Sequence, residues 1–352
     1  MAELYTTGLY DLAVLDPADG ADELHVLSGY ASPAMLSRVL LDLEERGRRP
    51  TLDLVVGMAG HEGLPRRDHR AFLDLASMYE NQASVGYTRT DTSDHSKIYI
   101  WLTAGEPVRA FAGSSNFTQN GFRIGRRRDR HGEVLVEVDP RAAEGEFQRV
   151  HSAAITADSP DVERFVNLDR RRDWSRPTAP RSARRSTARD GGREVNAELI
   201  LPLVALNTST KGTVRGGVHT TWGLNWGQRG SRDRDQATIP YPKRAKEIAP
   251  GFFPVGVAGD RPQFLVTTDD EQELFMVVAE QGDKGLHSVP SNASLGRYFR
   301  RRLGLPEGAV VRDADLRRFG SRFVRFTRLD DESYLMEFDP SIEAEGRALY
   351  GI

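Results

Sequence analysis

A strongly polar segment near the middle of the chain limits what the chain can fold into. Between Asp169 and Arg193 the sequence contains nine arginines, three aspartates and two prolines, but almost no apolar residue. Such a segment cannot bury an apolar face, so it cannot belong to a folded core. We therefore interpret residues 166–194 as a linker that divides the 352-residue chain into two domains, residues 1–165 and 195–352. A basic linker that also contacts phosphate groups is the alternative interpretation.

The composition excludes several classes of protein. The chain has no cysteine, which excludes disulfides, thiolate metal sites and a cysteine nucleophile, and which fits a reducing cytoplasm. No apolar run approaches the roughly 20 residues of a membrane-spanning helix, and the first residues lack the pattern of a secretion signal. The net charge of -3 does not by itself indicate a polyanionic partner. We expect a globular, cytoplasmic protein.

The first domain alternates between apolar runs and segments with helical periodicity. Ser32 and Pro33, for example, supply an N-cap and a first-turn proline before apolar residues at helical spacing. Strands are predicted at residues 23–30, 51–58, 84–87, 97–102, 108–112 and 133–138. Helices are predicted at residues 34–45, 66–79 and 140–154. This order predicts an α/β domain in which helices flank a sheet.

The second domain has a different pattern, with short strands separated by glycine, asparagine and aspartate. Strands are predicted at residues 198–206, 238–239, 263–267, 273–280, 322–326 and 334–338. Short helices are predicted at residues 295–303 and 313–319. Many short strands with turn residues between them are typical of all-β architectures. We therefore predict a mainly antiparallel β pseudobarrel.

One group of residues indicates phosphodiester chemistry. His95 and Lys97 lie at the start of a predicted strand, and Ser114 and Asn116 follow the next strand in the run Gly-Ser-Ser-Asn. Alternation along a strand places His95 and Lys97 on the same face. The imidazole can attack a phosphorus atom, while the ammonium and the Asn116 amide can bind the non-bridging oxygens as charge develops. A downstream carboxylate, Glu133 or Asp129, could hold the imidazole in the correct tautomer.

The motif His-x-Lys followed by Gly-Ser-x-Asn resembles the half-site of the phospholipase D superfamily. The superfamily carboxylate after the asparagine has two candidates in this chain. We favour Glu133, because it opens a predicted strand, over Asp129, which lies in an arginine-rich turn. The chain departs from the superfamily pattern at Leu102, which occupies the position of the usual aspartate.

The resemblance implies a mechanism with two histidines, one that forms a phosphohistidine and one that protonates the leaving group. Among the eight histidines only His95 is followed by x-Lys, so each chain has one half-site. The resemblance therefore implies a homodimer in which two copies face each other across a two-fold axis. It also implies that the phosphodiester chemistry requires no metal or other cofactor. The sequence accordingly has no His/Cys/Asp cluster at metal-ligand spacing.

Two segments of the second domain indicate DNA binding. Residues 221–234 and 291–302 combine tryptophan, asparagine, glutamine and arginine with glycine and serine. Arginine and glutamine can make bidentate hydrogen bonds to the edges of bases. The alternative interpretation is a solvated helix face with structural tryptophans.

The second domain resembles the C-terminal DNA-binding domain of NgoFVII-type restriction endonucleases, which is similar to the plant B-three transcription-factor domain. The resemblance rests on the runs GLNWGQR, ATIPYP, FFP, TTDD and SNASLGRYFRRRLG. In that family a phospholipase-D-like nuclease domain comes first, as it does here. The resemblance implies two arms that grip the major groove, which we place within residues 225–234 and 281–294. It further implies that the protein recognises a short GC-rich DNA site. It also implies a separate ATPase or helicase-like subunit, and ATP would act only through that subunit.

The leading hypothesis is therefore a type II-like, metal-independent restriction endonuclease with a homodimeric active site. The predicted catalytic residues are His95, Lys97, Ser114, Asn116 and Glu133. The predicted DNA-binding residues are Lys211, Asn225, Trp226, Gln228, Arg229, Arg232, Arg234, Lys284, Asn292 and Ser294. A phospholipase or small-molecule phosphodiesterase of the same superfamily is one alternative. A DNA-binding protein with a decayed active site, suggested by Leu102, is the other.

Overall fold

The computed structural model describes residues 3–80, 82–90, 92–125, 132–169, 187–190, 193–196, 198–207, 215–256 and 260–352. The chain divides into two compact units, Met1–Pro177 and Thr178–Ile352. Most of the predicted linker lies outside the described residues, as do Asp129 and Lys211. The described parts of the linker are a short strand at its beginning and the hairpin pair Thr187–Asp190 and Arg193–Asn196.

The first unit is built on a mixed sheet. Its strands are β1 (Leu4–Tyr5), β2 (Glu23–Ser28), β3 (Thr51–Val56), β4 (Leu64–Pro65), β5 (Ala83–Tyr87), β6 (Lys97–Thr103), β7 (Glu106–Gly113), β8 (Leu135–Val138), β9 (Ile155–Thr156) and β10 (Leu168–Asp169). Eight of these form the sheet in the order β1-β8-β7-β6-β2-β3-β5-β9, and β10 pairs separately with β4. The β2, β3 and β5 strands are parallel, whereas β6, β7 and β8 are antiparallel.

Helices cover this sheet. They are α1 (Pro33–Glu45), α2 (Ala59–Glu62), α3 (Arg66–Met78), α4 (Pro140–His151) and α5 (Val162–Phe165). The α1 helix begins as predicted, because the Ser32 hydroxyl accepts a hydrogen bond from the Met35 N–H and proline follows at the first helical position. Phe147 and Val150 of α4 pack on one face of the sheet, and alternate strand residues on the other face are also buried. The predicted α/β class is confirmed.

Most predicted elements of the first unit agree with the observed ones to within a few residues. One difference concerns the candidate site. The β8 strand begins at Leu135, so Glu133 precedes the strand and does not open it, and this part of the prediction was wrong. The β6 strand begins at Lys97, which places His95 in the connection just before it.

The second unit is a curled, mainly antiparallel sheet. Its strands are β11 (Thr187–Asp190), β12 (Arg193–Asn196), β13 (Glu198–Pro202), β14 (Ile239–Pro240), β15 (Gln263–Thr268), β16 (Glu273–Ala279), β17 (Gly285–Val289), β18 (Phe323–Arg328) and β19 (Ser333–Glu337). Apart from the β11–β12 hairpin, they pair in the order β13-β18-β19-β15-β16-β17-β14, and within this sheet the β15–β19 pair is parallel. The pseudobarrel prediction is confirmed.

Helices close the apolar interior of the second unit. They are α6 (Lys243–Ile248), α7 (Asn292–Leu303), α8 (Asp313–Phe319) and α9 (Glu343–Tyr350), with a 3-10 segment at Gly223–Gln228. Phe253, Phe264 and Tyr334 form the aromatic centre of the core, with ring centroids about 5 Å apart. The α6 and α9 helices and the β17 strand were missed by the sequence analysis. None of the helices that the structure describes is long and apolar enough to cross a membrane.

Candidate functional site

His95 and Lys97 lie at one end of the central strands of the first unit. Lys97 opens β6 and pairs with Ser28, the last residue of β2. Its ammonium donates a hydrogen bond to the carbonyl oxygen of His95 at 2.6 Å and lies 2.9 Å from Nδ1 and 3.4 Å from Nε2 of the same residue. The His95 side chain is exposed, whereas Lys97 is only 7% exposed. The two predicted residues are therefore adjacent, with the ring accessible from solvent.

Two glycines make this arrangement possible. A Cβ atom on Gly29 would lie 3.0 Å from Cδ2 of His95 and 3.4 Å from the Lys97 ammonium. A Cβ atom on Gly113 would lie 2.1 Å from the carbonyl oxygen of Val134, where β7 approaches β8. The first glycine of the Gly-Ser-x-Asn motif is thus required by backbone packing, and it sets the position of the serine that follows.

Tyr30 contacts both Asn116 and His95. The Tyr30 N–H donates to Oδ1 of Asn116 at 3.2 Å. The Tyr30 ring meets the His95 ring edge-on, with centroids 5.5 Å apart and planes at 83°. Because Oδ1 accepts this bond, the Nδ2 amide of Asn116 is the group that is left to donate to a ligand, and an N–H donor suits a phosphate oxygen.

Ser114 and Glu133 form a direct pair. The Ser114 hydroxyl donates to Oε2 of Glu133 and accepts a hydrogen bond from the Val134 N–H at 3.0 Å. Among the described residues, the hydrogen bond of Glu133 is to Ser114 and not to the His95 ring. The predicted contact between Glu133 and the imidazole is therefore not found within one chain. Asp129, the alternative carboxylate, lies outside the described residues.

The buried position of Lys97 determines its electrostatics. Burial lowers the pKa of its ammonium, and attraction by Glu133 and Asp94 opposes this effect without cancelling it. A cation that has lost part of its hydration gains more from an incoming anion than an exposed lysine does. Lys97 is therefore suited to stabilising negative charge on a phosphate.

Leu102, at the position of the usual superfamily aspartate, belongs to the core. It is 3% exposed and packs in the same cluster as Ile100, Ala110 and Phe147. The β6–β7 register also shifts between Trp101 and Leu102. An aspartate at this position would be buried among apolar side chains, so leucine fits this fold.

The second unit presents a group of cations beside a tryptophan. The guanidinium groups of Arg229 and Arg232 lie 4.7 Å and 5.2 Å from the centroid of the Trp226 ring. Both arginines are exposed, as are Arg234 and Lys284. Stacking on the ring orders the two guanidinium groups without removing them from solvent. All four of these predicted cations are thus accessible to solvent.

Asn225 and Gln228, predicted to bind DNA, make structural contacts instead. Asn225 is 1% exposed, its Nδ2 donates to the carbonyl oxygens of His219 and Val311, and its Oδ1 accepts from the Val311 N–H. The Gln228 amide nitrogen donates to two backbone carbonyl oxygens, those of Arg234 and Gly308. The polar atoms of Asn225 are thus fully used inside the protein, and it cannot read a base in this conformation.

Two further predicted DNA-binding residues, Asn292 and Ser294, lie at the start of α7. Asn292 is half-buried and its Nδ2 lies 3.2 Å from Nδ1 of His287, and Ser294 is also half-buried. The His287 ring lies 5.8 Å from that of Trp226. Asn292 and Trp226 therefore both lie next to His287. Lys211, as stated above, lies outside the described residues.

Sequence signatures of one enzyme family match both units. The NgoFVII restriction endonuclease N-terminal PLD (phospholipase D) domain matches residues 8–164. The NgoFVII C-terminal B3-like DNA-binding domain matches residues 201–330. The chain belongs to the NgoFVII restriction endonuclease family. It is therefore a nuclease of the PLD type with its own DNA-binding domain, and the family resemblance drawn from the sequence is confirmed.

Solved structures similar to this NgoFVII-family chain include proteins of different activities. NucT from Helicobacter pylori is 14% identical, and the match covers 44% of this chain and 98% of that chain with a TM-score of 0.31. Nuc, a phospholipase D family member from Salmonella typhimurium, is 19% identical over 44% and 97%, with a TM-score of 0.30. Phosphatidylserine synthase from Haemophilus influenzae Rd KW20 is 16% identical over 44% and 39%, with a TM-score of 0.33. No curated protein sequence matches the chain.

The arginines of α7 in this NgoFVII-family chain hold the protein together. Arg300 is 1% exposed and donates to the carbonyl oxygens of Arg234, Asp235 and Ala309. Arg301 and Arg302, next along the helix, bond to Asp270 and Asp269. The basic charge of this helix is therefore largely neutralised by protein groups, and the exposed cations among the predicted DNA-binding residues are Arg229, Arg232, Arg234 and Lys284.

Sequence reasoning missed Tyr30 and Glu62. The Tyr30 hydroxyl donates to Oε1 of Glu62 at 2.8 Å, a bond that raises the pKa of the phenol. Tyr30 is 39% exposed, which makes it one of the few exposed large hydrophobic side chains among the described residues. The one available signal was its position two residues after β2, at the strand end where His95 and Lys97 also lie. Among the described residues of this family member, no group of three or more His, Asp or Glu side chains could hold a metal ion.

Proposed function

We propose that the chain is a type II-like restriction endonuclease that hydrolyses DNA through a phosphohistidine on His95. The observation that carries the proposal is the position of the exposed His95 ring directly beside the largely buried ammonium of Lys97. The Asn116 amide, next to the same ring through Tyr30, and the Ser114 hydroxyl supply further hydrogen-bonding groups. A nucleophile surrounded by groups that bind negative charge is what phosphodiester cleavage requires.

In the proposed reaction, Nε2 of His95 attacks phosphorus. A P–N bond forms, and the bond between phosphorus and the leaving sugar oxygen of the DNA strand breaks. A second histidine donates its proton to that oxygen. That second histidine then removes a proton from water, which attacks phosphorus and breaks the P–N bond. Lys97 and Asn116 bind the non-bridging oxygens in both steps. Glu133 positions the Ser114 hydroxyl and offsets the charge of Lys97.

The second histidine is proposed to be His95 of a second copy. Three other histidines of the first unit, His25, His69 and His151, are bonded to side chains that are not among the predicted catalytic residues, namely Glu144, Tyr87 and Asp53. A two-fold arrangement would bring two identical half-sites together, each supplying one of the two histidines that the chemistry needs. The homodimer is therefore part of the proposal.

The exposed cations of the second unit are proposed to recognise the DNA sequence. Arginine can pair bidentately with guanine, so Arg229 and Arg232 fit the short GC-rich site that the family resemblance implies. Arg234 and Lys284 can bind phosphates along the same groove. A separate ATPase or helicase-like subunit remains part of the proposal, and the phosphodiester chemistry itself needs neither ATP nor a metal.

Cleavage of plasmid DNA in excess EDTA tests the proposal. The full chain should give discrete fragments, and His95→Ala should give none while still retarding DNA in a gel. His151→Ala is the matched control, because His151 lies in the same unit and bonds to Asp53. Cleavage by His95→Ala would refute the assignment of the nucleophile. DNA binding without cleavage by the unmodified chain would favour a missing ATPase subunit or a decayed site, and binding to phospholipid vesicles instead of DNA would favour the phospholipase alternative.

A further inference from the structure

A cavity of about 490 Å³ lies within the second unit, and Trp226, Arg229 and Arg232 are not among its lining residues. Its walls include Trp222, Tyr241, Gly282 and three lysines, Lys243, Lys246 and Lys284. Its volume is in the range of small-molecule binding sites, and its lining combines apolar walls with a few charged groups, as such sites do. Of these residues, Lys284 is the one named among the predicted DNA-binding residues.

The lysines make this cavity unusual for the chain. Lysine accounts for five of the 48 basic residues, and three of these five line the cavity. The Lys246 ammonium donates to the carbonyl oxygen of Gly282 at 2.7 Å and lies 5.1 Å from the centroid of the Tyr241 ring. These contacts fix the ammonium at the wall of the cavity.

The charges around the cavity favour an anion. Burial lowers the pKa of Lys246 and the like charge of Lys284 lowers it further, while Asp283 opposes the shift. The side chain of Lys243 pairs with Glu247 at 3.5 Å on the exposed surface of α6. A phosphate between Lys246 and Lys284 would relieve their mutual repulsion, because it supplies negative charge to both ammonium groups.

The aromatic wall indicates which anion fits. Trp222 is half-buried, so part of its ring is available to the cavity. Bases stack on such rings with little dependence on their identity. Inorganic phosphate alone would leave this wall and most of the volume unused. We propose that the cavity binds a single nucleotide, with its phosphate at Lys246 and Lys284 and its base against Trp222.

The nucleotide has two possible sources, a free mononucleotide or a nucleotide extruded from DNA held by the second unit. Extrusion from a duplex breaks base stacking and pairing, and stacking on a protein aromatic ring can offset this loss. The second source rests on the proposed function, because it requires DNA to be bound. The first source does not.

Calorimetric titration of full-length His95→Ala protein distinguishes these possibilities, since this variant should leave DNA intact. The probes are the four deoxynucleoside 5′-monophosphates, inorganic phosphate and a single-stranded oligonucleotide. We expect at least one mononucleotide to bind, with its Kd raised tenfold or more by Trp222→Leu and by Lys246→Met. Arg244→Met, a change in the same helix at a residue that does not line the cavity, should leave Kd within twofold. Thermal unfolding of each variant checks that the second unit remains folded.

The possible outcomes distinguish the two sources of the nucleotide from each other and from failure of the proposal. Competition between a mononucleotide and the oligonucleotide would identify a nucleotide of DNA as the ligand, and independent binding would identify a free mononucleotide. Absence of mononucleotide binding, or equal binding by folded Trp222→Leu and Lys246→Met, would overturn the proposal. Equal affinity for inorganic phosphate and mononucleotides would overturn the role of the base. None of these results depends on cleavage, so the proposed function can fail or hold separately.

Discussion

The ammonium of Lys97 lies 2.9 Å from Nδ1 of His95 and donates to the carbonyl oxygen of the same residue at 2.6 Å. An ammonium has three N–H donors, so donors remain for a ligand beside the hydrogen bond to the carbonyl oxygen. The lysine is thus tied to the backbone that carries His95, the proposed nucleophile. Any displacement of the His95 backbone would move the cation as well, so the two groups should act on a phosphate together.

Replacing Lys97 by methionine should lower the single-turnover cleavage rate by about 10²–10³-fold. This is the usual effect of removing one hydrogen-bond donor that stabilises negative charge in a transition state. DNA binding through the second unit should be unchanged. Cleavage of supercoiled plasmid under enzyme excess measures the rate, and gel retardation measures the binding. A loss of binding equal to the loss of rate would contradict a role restricted to the active site.

The pH dependence of cleavage should report Lys97. Burial lowers the pKa of this ammonium, so the charge is present below the shifted pKa and is lost at a lower pH than for an exposed lysine. The rate should therefore fall on the alkaline side, below the ordinary lysine pKa of about 10.4. Lys97→Arg, if it retains activity, should remove this alkaline decline, because arginine stays protonated throughout this range. Rate profiles of both proteins at constant ionic strength provide the measurement, and an unchanged decline in Lys97→Arg would assign it to another group.

Restoring the superfamily aspartate should damage the fold. Leu102→Asp would place an unpaired carboxylate in the core cluster, at a cost of roughly 3 kcal/mol or more. Thr103→Asp, at the exposed neighbouring position, is the matched control and should cost far less. Chemical unfolding of the three proteins measures the difference. Equal stability of the two variants would show that position 102 can accommodate a carboxylate.

Local patterns explain which features the sequence could predict. Ser32 and Pro33 cap α1 through contacts within four residues, and His95 and Lys97 meet because they are two residues apart. Both relationships are encoded by neighbours in the chain, so periodicity and spacing suffice. The elements and their class were predicted for the same reason.

Long-range contacts explain what the sequence could not predict. Asn225 lies in a glycine-rich segment that is typical of an exposed loop, yet it is buried by Val311, 86 residues away. Glu133 bonds Ser114 across 19 residues, and Tyr30 holds Asn116 across 86. Only the folded sheet brings these pairs together, and nothing in the local sequence distinguishes them from pairs that stay apart.

The two neighbours Asn225 and Arg229 should respond differently to truncation. Asn225→Ala leaves three buried backbone groups without their partner, which should cost roughly 2–4 kcal/mol of stability. Arg229→Ala should change stability by about 0.5 kcal/mol or less, but weaken specific DNA binding by about 1–3 kcal/mol if it reads a base. Unfolding curves and binding titrations on both variants separate these roles. Weaker binding by Arg229→Ala on every sequence alike would identify a phosphate contact instead.

Tyr30 should position the nucleophile through its ring and not through its hydroxyl. Its ring packs edge-on against His95, while its hydroxyl bonds Glu62 and its N–H holds Asn116. Tyr30→Ala removes the ring but keeps the backbone contact. Because an aromatic pair contributes about 0.5–1.5 kcal/mol, cleavage by this variant should slow by about tenfold or less. Tyr30→Phe keeps the ring and should cleave at nearly the original rate. Single-turnover cleavage rates of both variants test this prediction. An equal loss of rate in both would show that the Tyr30–Glu62 hydrogen bond, and not the ring, positions His95.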